Sequence, residues 1–284
     1  MKKKLLAALL VSALAAGLLP TSACAASDYT TANATLVTLT DSSATAKGIT
    51  AAEIDGTDVS ITAAGTYVFS GDCDNGSITV KKGVTGVTIV LNGLTLTNDD
   101  SAAITLNKTA EASLIAAAGT TNTVADTEGS SDENAAVKVK SGAALAIGGT
   151  GTLTVDGNAK NGIKGAADAV ITVAEVKLNI NAANDGLSCD DELNITGGTL
   201  SITAGGDAVK ASPDTGDTEN PDTTSLGNVT ISGGTLTLNA TGEGVQATRF
   251  DDFGRRFTSR RTAATPPRSR TMPPPARALR RAVR

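Results

Sequence analysis

Four polar residues recur at one place in a repeating pattern: Asn161, Asp185, Asp207 and Glu243. Each stands two residues before an apolar position that can be followed along the chain as Ile163, Leu187, Val209 and Val245. Val137 begins that series, and its intervals are 26, 24, 22 and 36 residues. Asn184, Asp190 and Asp191 flank the column. If successive repeats stack as neighbouring strands, ~4.8 Å apart, two such carboxylates repel by about 3–4 kcal/mol at an effective dielectric of about 20. A cation between them removes the repulsion. Carboxylates and amide carbonyls, in a chain with no His, suit a hard oxygen-seeking ion, and Ca²⁺ is the expected cofactor. The competing reading is turn chemistry: Asn or Asp before Gly tolerates a tight turn, Gly supplies positive φ, and the carboxylate is merely solvated.

A second series is basic. Lys138, Lys164 and Lys210 each follow the aligned apolar residue, while Ser188 and Gln246 take that place on other repeats. A row of ammonium groups beside a calcium-bearing turn suits a polyanionic sugar chain laid along the stack, each Lys donating to a carboxylate. The competing reading is surface lysines paired with nearby acids. Lysine can also act as a base that removes the proton α to a uronate carboxylate, with Lys164 or Lys210 as candidates for a lyase. Other chemistries are excluded or disfavoured. Without His there is no Ser-His-Asp triad. All 11 Arg lie at residue 249 or later, so the body has no Arg base or clamp. A single acidic column gives no sign of the facing carboxylates of a glycoside hydrolase. Without Trp, a flat platform stacking on sugar rings is disfavoured.

The elements that must position these residues are themselves repeated. "DELNITGGTLSITAGGDAVKA" (191–211) returns as "GNVTISGGTLTLNATGEGVQA" (227–247), and more loosely as "DAVITVAEVKLNINAANDGLSC" (168–189). Each copy has two alternating apolar runs, a break, and a polar turn. The long last interval contains "SPDTGDTENPDTTS" (212–225), a polar loop with two prolines; without its 14 residues the interval is 22. Strands at this period stack as a solenoid. The expected fold is all-β, a parallel β-helix of 22–26 residues per turn. In "LNITGGTLSI", Leu193, Ile195, Leu200 and Ile202 point inward, and Gly197 and Gly198 let the backbone turn.

Composition divides the chain. Lys2, Lys3 and Lys4, an apolar run Leu5–Leu19 and Ala23-Cys24-Ala25 make residues 1–25 a secretory signal, with a run too short for a membrane span. The rival reading lipidates Cys24 as an anchor; both place the product outside the cell, secreted or on its surface. Residues 26–75 read as an N-terminal strand region or cap, and 76–248 as β-helix rungs. Residues 1–248 carry 13 Lys against 27 acids, and residues 249–284 carry 11 Arg against two Asp and hold five Pro. That Arg/Pro-rich tail is expected to be disordered and frameshift-derived. Export makes nucleic acid an unsuitable partner for it. Cys73 and Cys189 are expected to be buried, inert thiols.

"NAAVKVKSGAALAIGGTGTLTVDGNAKNGIKG", "NDGLSCDDELNITGGTLSITAGGDAVKAS" and "GEGVQA" resemble the secreted carbohydrate-binding β-helix proteins of clostridia and relatives. The upstream "AAGTYVFSGDCDNGSITV" and "VTIVLNGLTLTNDDSAAI" look like that family's N-terminal part, so the resemblance spans roughly 45–248. It implies a right-handed parallel β-helix, bound Ca²⁺, and binding of plant cell-wall polysaccharide, notably pectic acid and, as a second ligand, cellulose, without cleavage. "NDG" (Asn184, Asp185, Gly186) and "GGD" (Gly205, Gly206, Asp207) match the family's acidic turns. Asp190 and Asp191 lie where related lyases cluster ligands, and Asp214 and Asp217 match an Asp-rich family loop. Ala208 stands where the family has Gly, and the C-terminal rungs are absent. The expected function is therefore calcium-dependent binding of acidic plant cell-wall polysaccharide. A Lys-based pectate lyase and a structural surface adhesin are the alternatives.

Overall fold

The computed structural model describes residues 33–48, 52–129, 133–212, 227–252 and 257–261. The signal region, Cys24, Asp214, Asp217 and the tail beyond residue 261 lie outside these. The described chain is all-β.

Two antiparallel hairpins start it: β1 (Ala34–Thr40) with β2 (Ser43–Lys47), and β3 (Ala52–Asp55) with β4 (Asp58–Ile61). From there every pairing is parallel. β5 (Gly65–Cys73) lies beside β1, and β6 (Ser77–Val80) beside β4. The long β7 (Val87–Asn98) is the branching element. Its first half pairs with β9 (Glu111–Ala116) and its second half with β10 (Thr121–Asp126). With β8 (Ile104–Leu106) beside β6, three strand columns are open.

Five further turns extend all three columns. They are β11 (Ala135–Val139), β12 (Ala144–Gly148), β13 (Thr152–Gly157); β14 (Asn161–Gly165), β15 (Val170–Val173), β16 (Lys177–Ala182); β17 (Leu187–Cys189), β18 (Glu192–Ile195), β19 (Thr199–Ala204); β20 (Val209–Ala211), β21 (Asn228–Ile231), β22 (Thr235–Ala240); and β23 (Val245–Ala247), β24 (Arg249–Asp252), β25 (Phe257–Arg261). Each strand pairs with the third strand after it. The middle and last columns join through β7 into one curled 16-stranded sheet, and the first column forms a nine-stranded sheet of short strands. A turn therefore holds three strands, where the sequence pattern suggested two.

Alternation explains the core. Leu193, Ile195, Leu200 and Ile202 are buried, and the register stacks Leu178, Leu200 and Leu236 in one line. Each layer meets a like layer, so Val, Ile, Leu and Ala fill the interior, with Tyr67 and Phe69 at its N-terminal end. Cys73 and Cys189 are both buried and free. Cys189 donates its thiol to the Ala169 carbonyl at 3.2 Å, and burial pushes its pKa to about 11. Gly198 sits at φ +88°, and a Cβ there would come within 2.6 Å of the Ala174 oxygen, which fixes its identity at the turn.

The ladder does not stop where the composition changes. The backbone of 249–252 lies on β21 and that of 257–261 on β22, contrary to a tail disordered from residue 249 onward.

Candidate functional site

The turns leading into the short-strand sheet carry the acidic column, and a hydrogen-bond chain holds it. Asn161 Oδ1 accepts from the Asp185 backbone N–H at 3.1 Å. Asp185 Oδ1 accepts from the Asp207 N–H at 2.9 Å, and Asp207 Oδ1 from the Glu243 N–H at 2.7 Å. Each side chain thus satisfies a donor in the turn that follows it, a repeat of the Asx-type cap. Asn184 adds its Nδ2 to Asn161 Oδ1 at 3.1 Å, and Asn161 Nδ2 donates to the Asn134 carbonyl at 3.1 Å. Gly186 is present for clearance rather than for positive φ: a Cβ there would lie 2.3 Å from Ile202 Cγ2 and 2.7 Å from the Ala208 oxygen.

The lysines form one line on the outer face of the short-strand sheet. Register partners run Thr79, Thr105, Lys138, Lys164, Ser188, Lys210, Gln246. Two of the three lysines are already engaged. Lys210 Nζ lies 3.3 Å from Asp185 Oδ2 and 3.4 Å from Asp207 Oδ2, bridging the two carboxylates. Burial alone would lower its pKa, but Asp185 and then Asp207 outweigh that, and the net shift is upward. Lys164 pairs with the buried Asp190 and reaches Ser188 Oγ at 3.4 Å. Lys138 makes no ion pair among the described residues. Burial first, and the Lys164 charge second, push its pKa down, against a weaker pull from Glu133 and Asp190.

These contacts decide whether the column suits calcium. One oxygen of Asp185 and of Asp207 is committed to a backbone N–H, and the other faces Lys210 Nζ. Asp190 faces Lys164, and Glu243 is exposed. Asp191 lies half-buried just before β18. Among the described residues no three of His, Cys, Asp and Glu converge as metal ligands. Of the expected set Asn161, Asn184, Asp185, Asp190, Asp191, Asp207 and Glu243, the three carboxylates of Asp185, Asp190 and Asp207 already have lysine ammonium groups against them and do not fit a calcium ion in this arrangement.

Two features carry no signal in the sequence. Glu133 and Lys140 pair across the start and end of β11. Asp126 is fully buried; its Oδ1 accepts from the Asn158 N–H at 2.6 Å and the Ala159 N–H at 3.0 Å, while Oδ2 has no partner among the described residues. Burial raises its pKa, the two backbone donors opposing. Nothing in the composition of "TNTVADTEG" separates Asp126 from the solvated acids around it.

Similarity to known proteins bears on this face. Residues 55–254 match the model of a family described as carbohydrate-binding domain-containing protein. The chain belongs to that family. Among solved structures it is similar to a polysaccharide lyase-like protein from C. thermocellum, solved as a gadolinium derivative. That match has 26% identity, a TM-score of 0.62, and coverage of 80% of this chain and 96% of that one. No curated protein matches. No helix among the described residues is long and apolar enough to cross a membrane.

Proposed function

We propose that this protein is exported and binds a polysaccharide along the outer face of its short-strand sheet, and that the coil is a right-handed parallel β-helix. Family membership supports the ligand class. One observation carries the location: the line Thr79, Thr105, Lys138, Lys164, Ser188, Lys210, Gln246 is polar at every register position, so the sheet presents a hydroxyl- and amine-bearing track along the stack. Lys138 is the lysine on that track whose charge no described carboxylate neutralises. A uronate carboxylate is the ligand group that would complete it, which favours an acidic plant cell-wall polymer such as pectate. Binding needs no metal in this account, so affinity electrophoresis in polygalacturonate gels should show retardation that survives chelation of calcium. Retardation that disappears with chelator would return the calcium-dependent reading.

Lys138 also favours a second reading. A lysine whose amine is driven towards neutrality can take the proton α to a uronate carboxylate, after which the C4–O bond breaks and leaves a 4,5-unsaturated sugar. The likeness to the polysaccharide lyase-like protein of C. thermocellum points the same way. Lys138, not Lys164 or Lys210, is then the candidate base, since both of those are held by carboxylates. Ultraviolet absorbance of the unsaturated product, present in the wild type and lost in Lys138→Met, would favour lyase over binding module.

A further inference from the structure

The outer face of the short-strand sheet has a recess beside the Lys138 position, with a volume of about 270 Å³. Thr79 and Thr105 stand on its floor, Asp58 and Asp100 line it, and the Glu133–Lys140 ion pair borders it. Thr105 is 7% exposed, and its hydroxyl makes no hydrogen bond among the described residues. A hydroxyl without a protein partner that faces a polar recess is a vacant place for a ligand's hydrogen bond.

We infer that this recess binds an uncharged sugar unit. The inference rests on the polysaccharide reading and specifies its ligand further. Sugar hydroxyls are donors and acceptors together, and the recess offers carboxylate acceptors and the Thr105 hydroxyl. Asp58 already accepts from Ser77 Oγ at 2.7 Å and keeps a second oxygen for a ligand. The charge is wrong for a uronate: three carboxylates line the recess against one lysine, and that lysine is paired with Glu133. The lining is also wrong for an acyl chain or an aromatic ring, since Ala102 is its one apolar residue. Thr105 and Lys138 are register partners, ~4.8 Å apart along the stack. Successive units of one glycan thus meet a recess that rejects charge and an ammonium that accepts it. The polymer selected carries both neutral and acidic units, as a partly esterified uronan does.

The test is calorimetric titration of the whole chain with cellohexaose, hexagalacturonate and its methyl ester, repeated on Thr105→Val and Lys138→Met. Valine keeps the shape and strand preference of threonine and removes the hydroxyl; an unchanged Tm shows that the variant is folded. The expected result is binding of cellohexaose and the ester that weakens about tenfold in Thr105→Val, while Lys138→Met weakens hexagalacturonate. Cellohexaose binding untouched by Thr105→Val overturns the inference. So does binding of hexagalacturonate alone, which would leave the Lys138 track standing. Binding of none of the three overturns the inference together with the polysaccharide reading.

Discussion

Lys210 shows how a residue can look like part of a ligand site and be a counter-ion. Its ammonium lies between Asp185 and Asp207, where the repulsion between stacked carboxylates invites a cation. Lys210→Met should lower stability by about 1–3 kcal/mol, because two partly buried carboxylates lose their neutralising charge. Thermal unfolding should then become calcium-sensitive in the variant while the wild type shows no shift; a calcium-dependent Tm in the wild type contradicts this. Asp126 gives a pH-dependent outcome. Its pKa is raised on folding, so the stability it contributes is present below its unfolded value and lost as pH rises through the folded one. Asp126→Asn keeps the acceptor for Asn158 and Ala159 and removes the buried charge. Its advantage over the wild type in urea unfolding should be near zero at acidic pH and grow to about 1 kcal/mol at neutral pH. A difference independent of pH rules this out. Pairing of the lysines with nearby acids was one reading of the sequence, but the partners of Lys210 and the burial of Asp126 could not be read from it. Both depend on which oxygen faces which donor across turns, and spacing along one strand does not contain that.

At the scale of elements, the turn entering each short strand is the repeating device. Its polar side chain bonds a backbone N–H in the turn that follows, and a small residue comes next because the neighbouring turn leaves no room for a Cβ at Gly162 or Gly186. Gly186→Ala should cost about 1–3 kcal/mol by overpacking against Ile202, whereas Ala208→Gly, one turn on, should cost under about 1 kcal/mol. Equal losses in denaturant unfolding would show that the turn relaxes around a methyl group. The spacing of these turns was legible because one apolar position recurs at near-constant period and its burial does not depend on the details of pairing. The three-column layout was less so. β7 is a 12-residue strand whose halves serve two columns, and only Asn92-Gly93, with Gly93 at φ +74°, marks in "VTIVLNGLTLTN" where the pairing changes partner. The strands at 249–252 and 257–261 were hidden for a different reason: composition reports on side chains, and the ladder there is held by backbone.

At the scale of the whole molecule, the stack converts a repeated sequence into a linear surface. One face of the short-strand sheet gives a track in register, long enough for several sugar units and graded in charge. The recess by Thr105 is acid-lined, Lys138 is an uncompensated ammonium, and Lys164 and Lys210 are neutralised by Asp190, Asp185 and Asp207. The line of lysines could be seen in the sequence, since it follows one apolar position. That only Lys138 is left for a ligand could not, since the acids that neutralise its neighbours lie in adjoining turns. The central claim is that this track binds polysaccharide through Lys138. The most direct measurement is the affinity of the wild type and of Lys138→Met for polygalacturonate by calorimetry, with chelator present throughout. The account expects binding in the wild type and a loss of about tenfold or more in the variant, the size of one charge-assisted hydrogen bond. Equal affinity in the two proteins, or no binding until calcium is restored, would contradict it.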